Sequence, residues 1–424
     1  MKSKIKKLNG TTKEFFVEMP KETVDRMFDE VLEGIRKTAK IPGFRPGNAP
    51  LDIVRKNYSE DAADEVKRRL IPQAYQQALQ KHEIRPVSYP EISEVLIGLS
   101  GILTFKARVD AHPEINLRKY KGLKVTRNKI SVTDEEITET LERLRNMNAE
   151  FPEIDRPIEK GDFGICDIET FINGEVIAKK RENMWIEADK EVSLLGMGEE
   201  LCGLKKGDRK DIEVTLPENY PDKKYAGKKA VFRVEVRDVK EKKLPELDDE
   251  LAKTLGKNSL DEAREEIRTQ LLERKEANEK VNMKNQIMEQ LLDRHSFDLP
   301  ASMVSRQLKV LMERAENELS SKGVDKETIG SNREEMKGRL SKEAERKVRL
   351  YFMLDKIGDR EGIDVSEEEI DSWLRSLADA YNKPLEEVEK YYKEHDLISG
   401  LKEQLREDKT VDFLLSEAVV TGEA

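Results

Sequence analysis

From Pro245 to Val420, apolar residues recur at helical spacing, glycine is sparse, and acidic and basic side chains interleave. This pattern predicts amphipathic helices at about 259–294, 301–321, 334–361, 366–380, 384–394 and 397–419. Apolar stripes run through Ile287, Leu291 and Leu292; through Met303, Val304, Leu308, Leu311 and Met312; and through Val411, Phe413, Leu414 and Leu415. Across all 424 residues, 39% are charged, 37% hydrophobic and 6% aromatic. That is lean for a compact globule of this length. It predicts several domains in an open, elongated and largely helical architecture.

Two other regions break the helical pattern. Residues 151–243 carry strand-like runs, Gly164 to Phe171, Lys210 to Leu216 and Ala230 to Val239. Asn173-Gly174, Lys206-Gly207-Asp208 and Ala226-Gly227-Lys228 supply turn chemistry between them, so a small antiparallel β domain is expected. Residues 1–112 read as α+β. Phe15, Val17 and Met19 alternate as a strand should, and Leu103 to Val109 is its expected partner. Between them, one helix carries Val24, Met27, Phe28, Val31, Leu32 and Ile35, and another runs from Leu51 to Lys81 with an expected kink at Pro72. Residues 113–150 form a connector whose helix opens at Thr133, with Glu136 at the capping-box spacing; Ser366 and Glu369 repeat that solution. The fold class is therefore multidomain α+β: an N-terminal α+β domain (1–112), a connector (113–150), a central antiparallel β domain (151–243) and an elongated all-α domain (244–424).

Several function classes are set aside by what is missing. Cys166 and Cys202 are not in a CxxC arrangement, so both are expected to be buried small apolar residues in a reduced cytoplasm. The four histidines, at 82, 112, 295 and 395, have no metal-ligand spacing, and neither metal nor cofactor is expected. No apolar run approaches the roughly 20 residues needed to span a bilayer. The lysine-rich segment from Met1 to Leu8 is not followed by the apolar stretch of a signal peptide. No GxxxxGK[ST] is present, so nucleotide-driven cycling is not supported.

The loop Ile41-Pro42-Gly43-Phe44-Arg45-Pro46-Gly47-Asn48-Ala49-Pro50 cannot be helical, since three prolines and two glycines fix some φ angles and free others. It presents Phe44 and Arg45 at its tip, an apolar ring beside a planar cation, which suits docking on a macromolecule. Residues 1–112 hold 20 basic and 16 acidic side chains, net +4, on a chain whose net charge is −10. A basic tip on an acidic protein points to an anionic partner; a solvated helix–loop–helix with chance charge clustering explains the charge alone equally well.

Gly43-Phe44-Arg45-Pro46-Gly47 followed by Pro50 resembles the ribosome-docking signature of the trigger factor family, bacterial chaperones of the nascent-chain exit, and the order of segments downstream is similar over essentially the whole chain. The resemblance implies that Phe44 and Arg45, framed by Gly43, Pro46 and Gly47, contact a ribosomal protein and ribosomal RNA beside the tunnel exit. Many members have lysine where Pro46 stands and often where Asn48 stands, so docking here is expected to be less electrostatic. Asp371 to Lys390, Tyr391-Tyr392 and Lys409 to Leu415 resemble the family's C-terminal arm, which implies a cradle for nascent and unfolded polypeptides. The resemblance leaves self-association off the ribosome, as a homodimer with the loops masked, open. Met283, Met288, Met303, Met312 and Met336 would suit an adaptable client surface, with ordinary helix packing as the competing role.

The central domain resembles the family's FKBP-like prolyl isomerase through Gly161-Asp162, Asn173-Gly174, Gly203-Leu204-Lys205-Lys206-Gly207-Asp208, Pro217-Glu218-Asn219-Tyr220 and Val231-Phe232. X–Pro isomerisation must break amide resonance against a barrier of about 18–20 kcal/mol. An apolar pocket that grips proline and desolvates the twisted amide can do so without a nucleophile. The resemblance implies pocket roles for Trp185, Tyr220, Phe232, Leu195 and Met197. For Trp185 a core position is nearly as good a reading. Ile168, Ile177 and Met197 stand where the family usually has phenylalanine, Ser193-Leu194-Leu195-Gly196-Met197 replaces its Ile-Pro-Gly-Phe pattern, and Ala178-Lys179-Lys180 replaces an acidic-glycine run. An active isomerase, a weakened one and a retained fold that only binds chains remain open, with weak or altered activity favoured. For the whole chain, the readings are an ATP-independent ribosome-associated chaperone, an isomerase whose helical arms capture substrate, and an adaptor without clients.

Overall fold

The computed structural model describes residues 1–424 except 43, 46, 99–100, 178–179, 190–196, 218–223, 323, 325 and 423–424. In chain order the elements are β1 (Lys2–Lys7), β2 (Thr12–Met19), α1 (Lys21–Thr38), α2 (Leu51–Asn57), α3 (Ser59–Lys81), β3 (Glu91–Ile97), β4 (Leu103–Asp110), β5 (Lys124–Thr126) and α4 (Asp134–Met147). There follow β6 (Phe163–Ile172), β7 (Glu175–Val176), β8 (Arg181–Glu187), β9 (Arg209–Thr215), β10 (Lys229–Lys240), α5 (Asp249–Thr254), α6 (Leu260–Arg294) and α7 (Ala301–Ser321). The last are α8 (Lys326–Ser331), α9 (Arg333–Glu361), α10 (Glu367–Ala380), α11 (Leu385–Glu394), α12 (Ile398–Ser416) and β11 (Val419–Thr421). The architecture is multidomain α+β, with an antiparallel sheet region at its centre and a long helical part after it.

The chain packs as two compact units, and these do not follow the order of composition along it. The first holds residues 1–126, 282–319 and 329–421; the second holds 127–281, 320–328 and 422–424.

In the first unit, an antiparallel sheet in the order β1-β2-β4-β3 turns one face to α1 and α3. Phe15, Val17 and Met19 are buried on β2, in register with Ala107, Phe105 and Leu103 of β4. Alternation is thus the direct cause of the pairing. Leu51 to Lys81 is two helices. Tyr58 leaves the helical region (φ −127°, ψ 27°) and separates α2 from α3, while Pro72 is accommodated inside α3. Strands β1 and β3 carry no clean alternation and are legible only from pairing: β1 is an exposed, lysine-rich edge of the kind that resists further strand addition. A second core joins Leu123 and Val125 to Ile287, Leu291, Met353, Leu354, Ile357, Val411 and Leu414, and β5 pairs in parallel with β11. Met283 and Met288 pack against this core, and Met312 and Met336 are buried, so helix packing accounts for these four methionines.

The second unit is built on a sheet in the order β7-β6-β10-β9, with β8 also on β6. Its buried face carries Cys166, Ile168, Ile186, Ile212, Ala230, Phe232, Val234 and Val236. Gly164 is required there, because a Cβ would lie 3.1 Å from the Cys166 sulfur and 3.2 Å from Ile158. Cys202 is exposed rather than buried, since it ends a short turn just before Gly203, whose φ is +88°. Helix α4 packs Ile137 and Leu141 on Ile267 and Leu271 of α6.

Candidate functional site

The 41–50 loop is anchored at both feet. Ile41 and Ala49 are buried, and the Gly47 N–H donates to the Arg36 carbonyl at 2.9 Å with Gly47 at φ +90°. Inside it, the Phe44 N–H reaches Ile41 O at 3.1 Å and the Asn48 N–H reaches Arg45 O at 3.0 Å. The tip is therefore a set of local turns, with Phe44 38% exposed and Arg45 exposed beside it. Gly43 and Pro46 lie outside the described residues. Of the neighbouring cations, Arg36 pairs with Glu33 at 3.0 Å and Arg55 with Asp29 at 3.3 Å. Lys37, Lys40, Arg45 and Lys56 are exposed and have no ion pair among the described residues. The anchored loop thus offers one aromatic ring and four cations free to meet an anion.

In the β domain, the structure brings Phe232, Met197 and Ile168 into one core, with Ile177 and Met184 packed at its margin. Trp185 is not among them. On β8, Met184 and Ile186 point into the core, and Trp185 points to the opposite face of the sheet, 49% exposed. There its ring meets Phe151 and Phe163 at 5.5 and 5.9 Å, with the Lys240 ammonium 5.7 Å above it. Trp185 is therefore not brought together with Phe232 and Met197 in this core. Leu195 and Tyr220 lie outside the described residues, as do Ala178 and Lys179.

Asp167 was not singled out by the sequence. Its carboxylate accepts from Arg237 Nε and Nη2 at 2.9 and 2.7 Å and from the Asn183 N–H at 3.0 Å, and Lys180 lies at 2.8 Å. These donors, Lys180 first, hold its carboxyl well below the usual carboxylate range against the cost of burial. The contact pins a bulge where β8 spends two residues, one of them Asn183 at φ +54°, opposite one on β6. Asp162 fixes the entrance to β6 in the same way, accepting from Arg156 Nη1 at 2.6 Å and the Glu159 N–H at 2.8 Å. The Cys166 thiol is pushed up to about 12 by burial and is not a nucleophile. Among the described residues, this core is mainly aliphatic and thioether, with Phe232 inside it and Tyr225 at its margin as its aromatic rings, and its chemistry is apolar grip. No helix of the described residues is long and apolar enough to cross a membrane.

Three family models match the chain. Residues 1–144 match the model described as bacterial trigger factor protein (TF), 259–416 match bacterial trigger factor protein (TF) C-terminus, and 155–237 match FKBP-type peptidyl-prolyl cis-trans isomerase. A trigger factor from Geobacillus thermodenitrificans is 33% identical over 100% of this chain and 100% of its own length. One from Caldicellulosiruptor bescii is 33% identical over 100% of this chain and 98% of its own. A solved structure described as "Promiscuous Substrate Recognition in Folding and Assembly Activities of the Trigger Factor Chaperone" aligns over 98% of this chain and 99% of that one, at 22% identity and a TM-score of 0.49. With relatives of this identity matched from end to end, the chain belongs to the trigger factor family.

Proposed function

We propose that this chain is an ATP-independent chaperone that docks on the ribosome through the 41–50 loop and shields nascent and unfolded polypeptides at the tunnel exit. The observation that carries the reading is Phe44, exposed beside the unpaired Lys37, Lys40, Arg45 and Lys56 on a loop whose feet are buried. Phe44 and Arg45 are the principal contacts, to the tunnel-exit protein and ribosomal RNA, with Gly43, Pro46 and Gly47 belonging to the same docking segment. Work of this kind belongs in the cytoplasm, and off the ribosome a homodimer would cover the same loop. Cosedimentation with bacterial ribosomes across a salt series tests the reading, with the Phe44→Ala, Arg45→Ala variant beside the wild type. The wild type should pellet with ribosomes and lose binding as salt rises, and the variant should stay in the supernatant with its fold intact. Equal pelleting of the two would refute docking through this loop.

A second activity rests on the β domain, prolyl isomerisation at a pocket formed by Phe232 and Met197 with Ile168 and Ile177. With few described aromatic rings at this core, Phe232 and the marginal Tyr225, to desolvate the amide, the rate on a proline tetrapeptide should be low. Met197→Phe in the full chain should raise kcat/KM several-fold if the pocket is short of aromatic surface. An unchanged rate would count against this pocket.

A further inference from the structure

Helices α9 and α12 pack along a seam within the first unit. Arg406 is the seam's cation, and each of its three nitrogens already donates to a neighbour. Nη1 donates to Asp355 at 2.7 Å, Nη2 to Asp359 at 2.7 Å and Nε to the Ile363 carbonyl at 2.8 Å. Gly358 leaves room for the guanidinium, since a Cβ there would come within 3.2 Å of it. The next residue of α12, Glu407, is half-buried and has no hydrogen bond or ion pair among the described residues. With Tyr351, Asp355, Glu403, Arg406 and Thr410 it surrounds a void of about 30 Å³, about the room one water takes up. Tyr351, Asp355, Glu403 and Arg406 also line a neighbouring cavity of about 690 Å³.

The groups facing Glu407 are nearly all acidic. Asp355 comes from α9, and Glu403 and Asp408 from α12 itself; each raises its proton affinity. Tyr351 of α9 stays neutral, pushed up to about 12 mainly by burial, with Arg306 of α7 acting on it in the opposite sense. Lys284 of α6 faces Asp408 and pairs with Asp412 at 2.9 Å. His112 and Arg85 stand on the far wall of the larger cavity, where Arg85 is 3.5 Å from Asp359. An ionised Glu407 thus adds charge to a cluster whose central cation is spoken for, whereas a protonated one removes the charge and adds a donor among acceptors.

We propose that Glu407 is a proton-operated latch on the α9–α12 seam: uncharged, it lets the helices close over the small void; ionised, it draws water into the seam and loosens the wall of the larger cavity. Burial first, then the neighbouring carboxylates, push its carboxyl up to about 7 from an ordinary 4.5. A carboxyl raised on folding contributes stability that is fully present below about 4.5 and is lost as pH rises through about 7. The latch therefore works across the neutral range.

Amide hydrogen exchange on the full-length chain, wild type against Glu407→Gln, reads the seam directly, because the ratio at one pH cancels the intrinsic rate. Between Leu401 and Leu414, the two should be protected alike at pH 5.5. At pH 8.5 the wild type should exchange faster by on the order of ten- to a hundred-fold. A ratio that is the same at both pH values overturns the proposal. Glu403→Gln keeps the latch and removes one repelling charge, so its transition should move to lower pH, and this variant keeps the test open if Glu407→Gln does not fold. An unmoved transition overturns the proposal as well.

Discussion

Asp110 ties together residues 192 positions apart. At the end of β4 it accepts from Thr12 Oγ1 at 2.8 Å and from the Ser302 N–H at 3.0 Å, and so caps the first turn of α7 from outside the helix. These donors hold its carboxyl below the usual value of 3.8 despite the opposing effect of burial. A carboxyl lowered on folding stabilises the fold above its unfolded value, and that contribution is lost as pH falls through the folded one. Asp110→Asn should turn an N–H2 toward one of the two donors and cost about 1–3 kcal/mol near pH 7. Urea unfolding should show that cost shrinking below pH 4, and a cost constant with pH would rule out a charge-based tie. Asp110, like Asp167, was invisible in the sequence because a carboxylate's partners lie wherever the fold brings donors. Phe15, Val17 and Met19 were legible because burial has a period. The face taken by Trp185 was not legible for a physical reason: the bulge at Asn183 resets which face each β8 residue takes, and no local pattern announces a bulge.

At the scale of elements, the two capping boxes are the clearest case of local sequence setting local structure. Thr133 accepts from the Glu136 N–H at 3.4 Å while Glu136 reaches back to the Thr133 N–H at 3.0 Å, and Ser366 with Glu369 does the same at 3.3 and 2.8 Å. Each helix also opens with three acidic residues, which suits its positive N-terminal end. Thr133→Ala should cost about 0.5–2 kcal/mol. The loss should appear as faster amide exchange over the first turn of α4, and an unchanged first turn would mean that the Glu136 contact with Lys275, at 2.6 Å, holds the helix start by itself. Where one helix became two, at Tyr58, the sequence carried continuous apolar spacing across the break, so periodicity alone could not mark it. The partner of the short β5 was not legible in the sequence. Parallel pairing with Val419–Thr421 joins segments nearly three hundred residues apart, and the Gln286 side chain then bonds both the N–H and the carbonyl of Thr126, at 2.8 and 2.9 Å, in place of a further strand.

For the whole molecule, composition foretold many surfaces and small cores, and the described residues bear that out in several separate hydrophobic clusters. It could not say which segments share a core, because helical spacing defines a face and leaves its partner open. The first unit is discontinuous: β5 is made early and β11 late, with the isomerase segment between them. Ribosomes add roughly 5–20 residues per second. The strand at Lys124–Thr126 therefore waits roughly 15–60 s for its partner at Val419–Thr421. For most of that interval Leu123 and Val125 lack the neighbours from α9 and α12 that share their core. While it is being made, a protein that shelters unfinished chains is itself an unfinished chain with an open core.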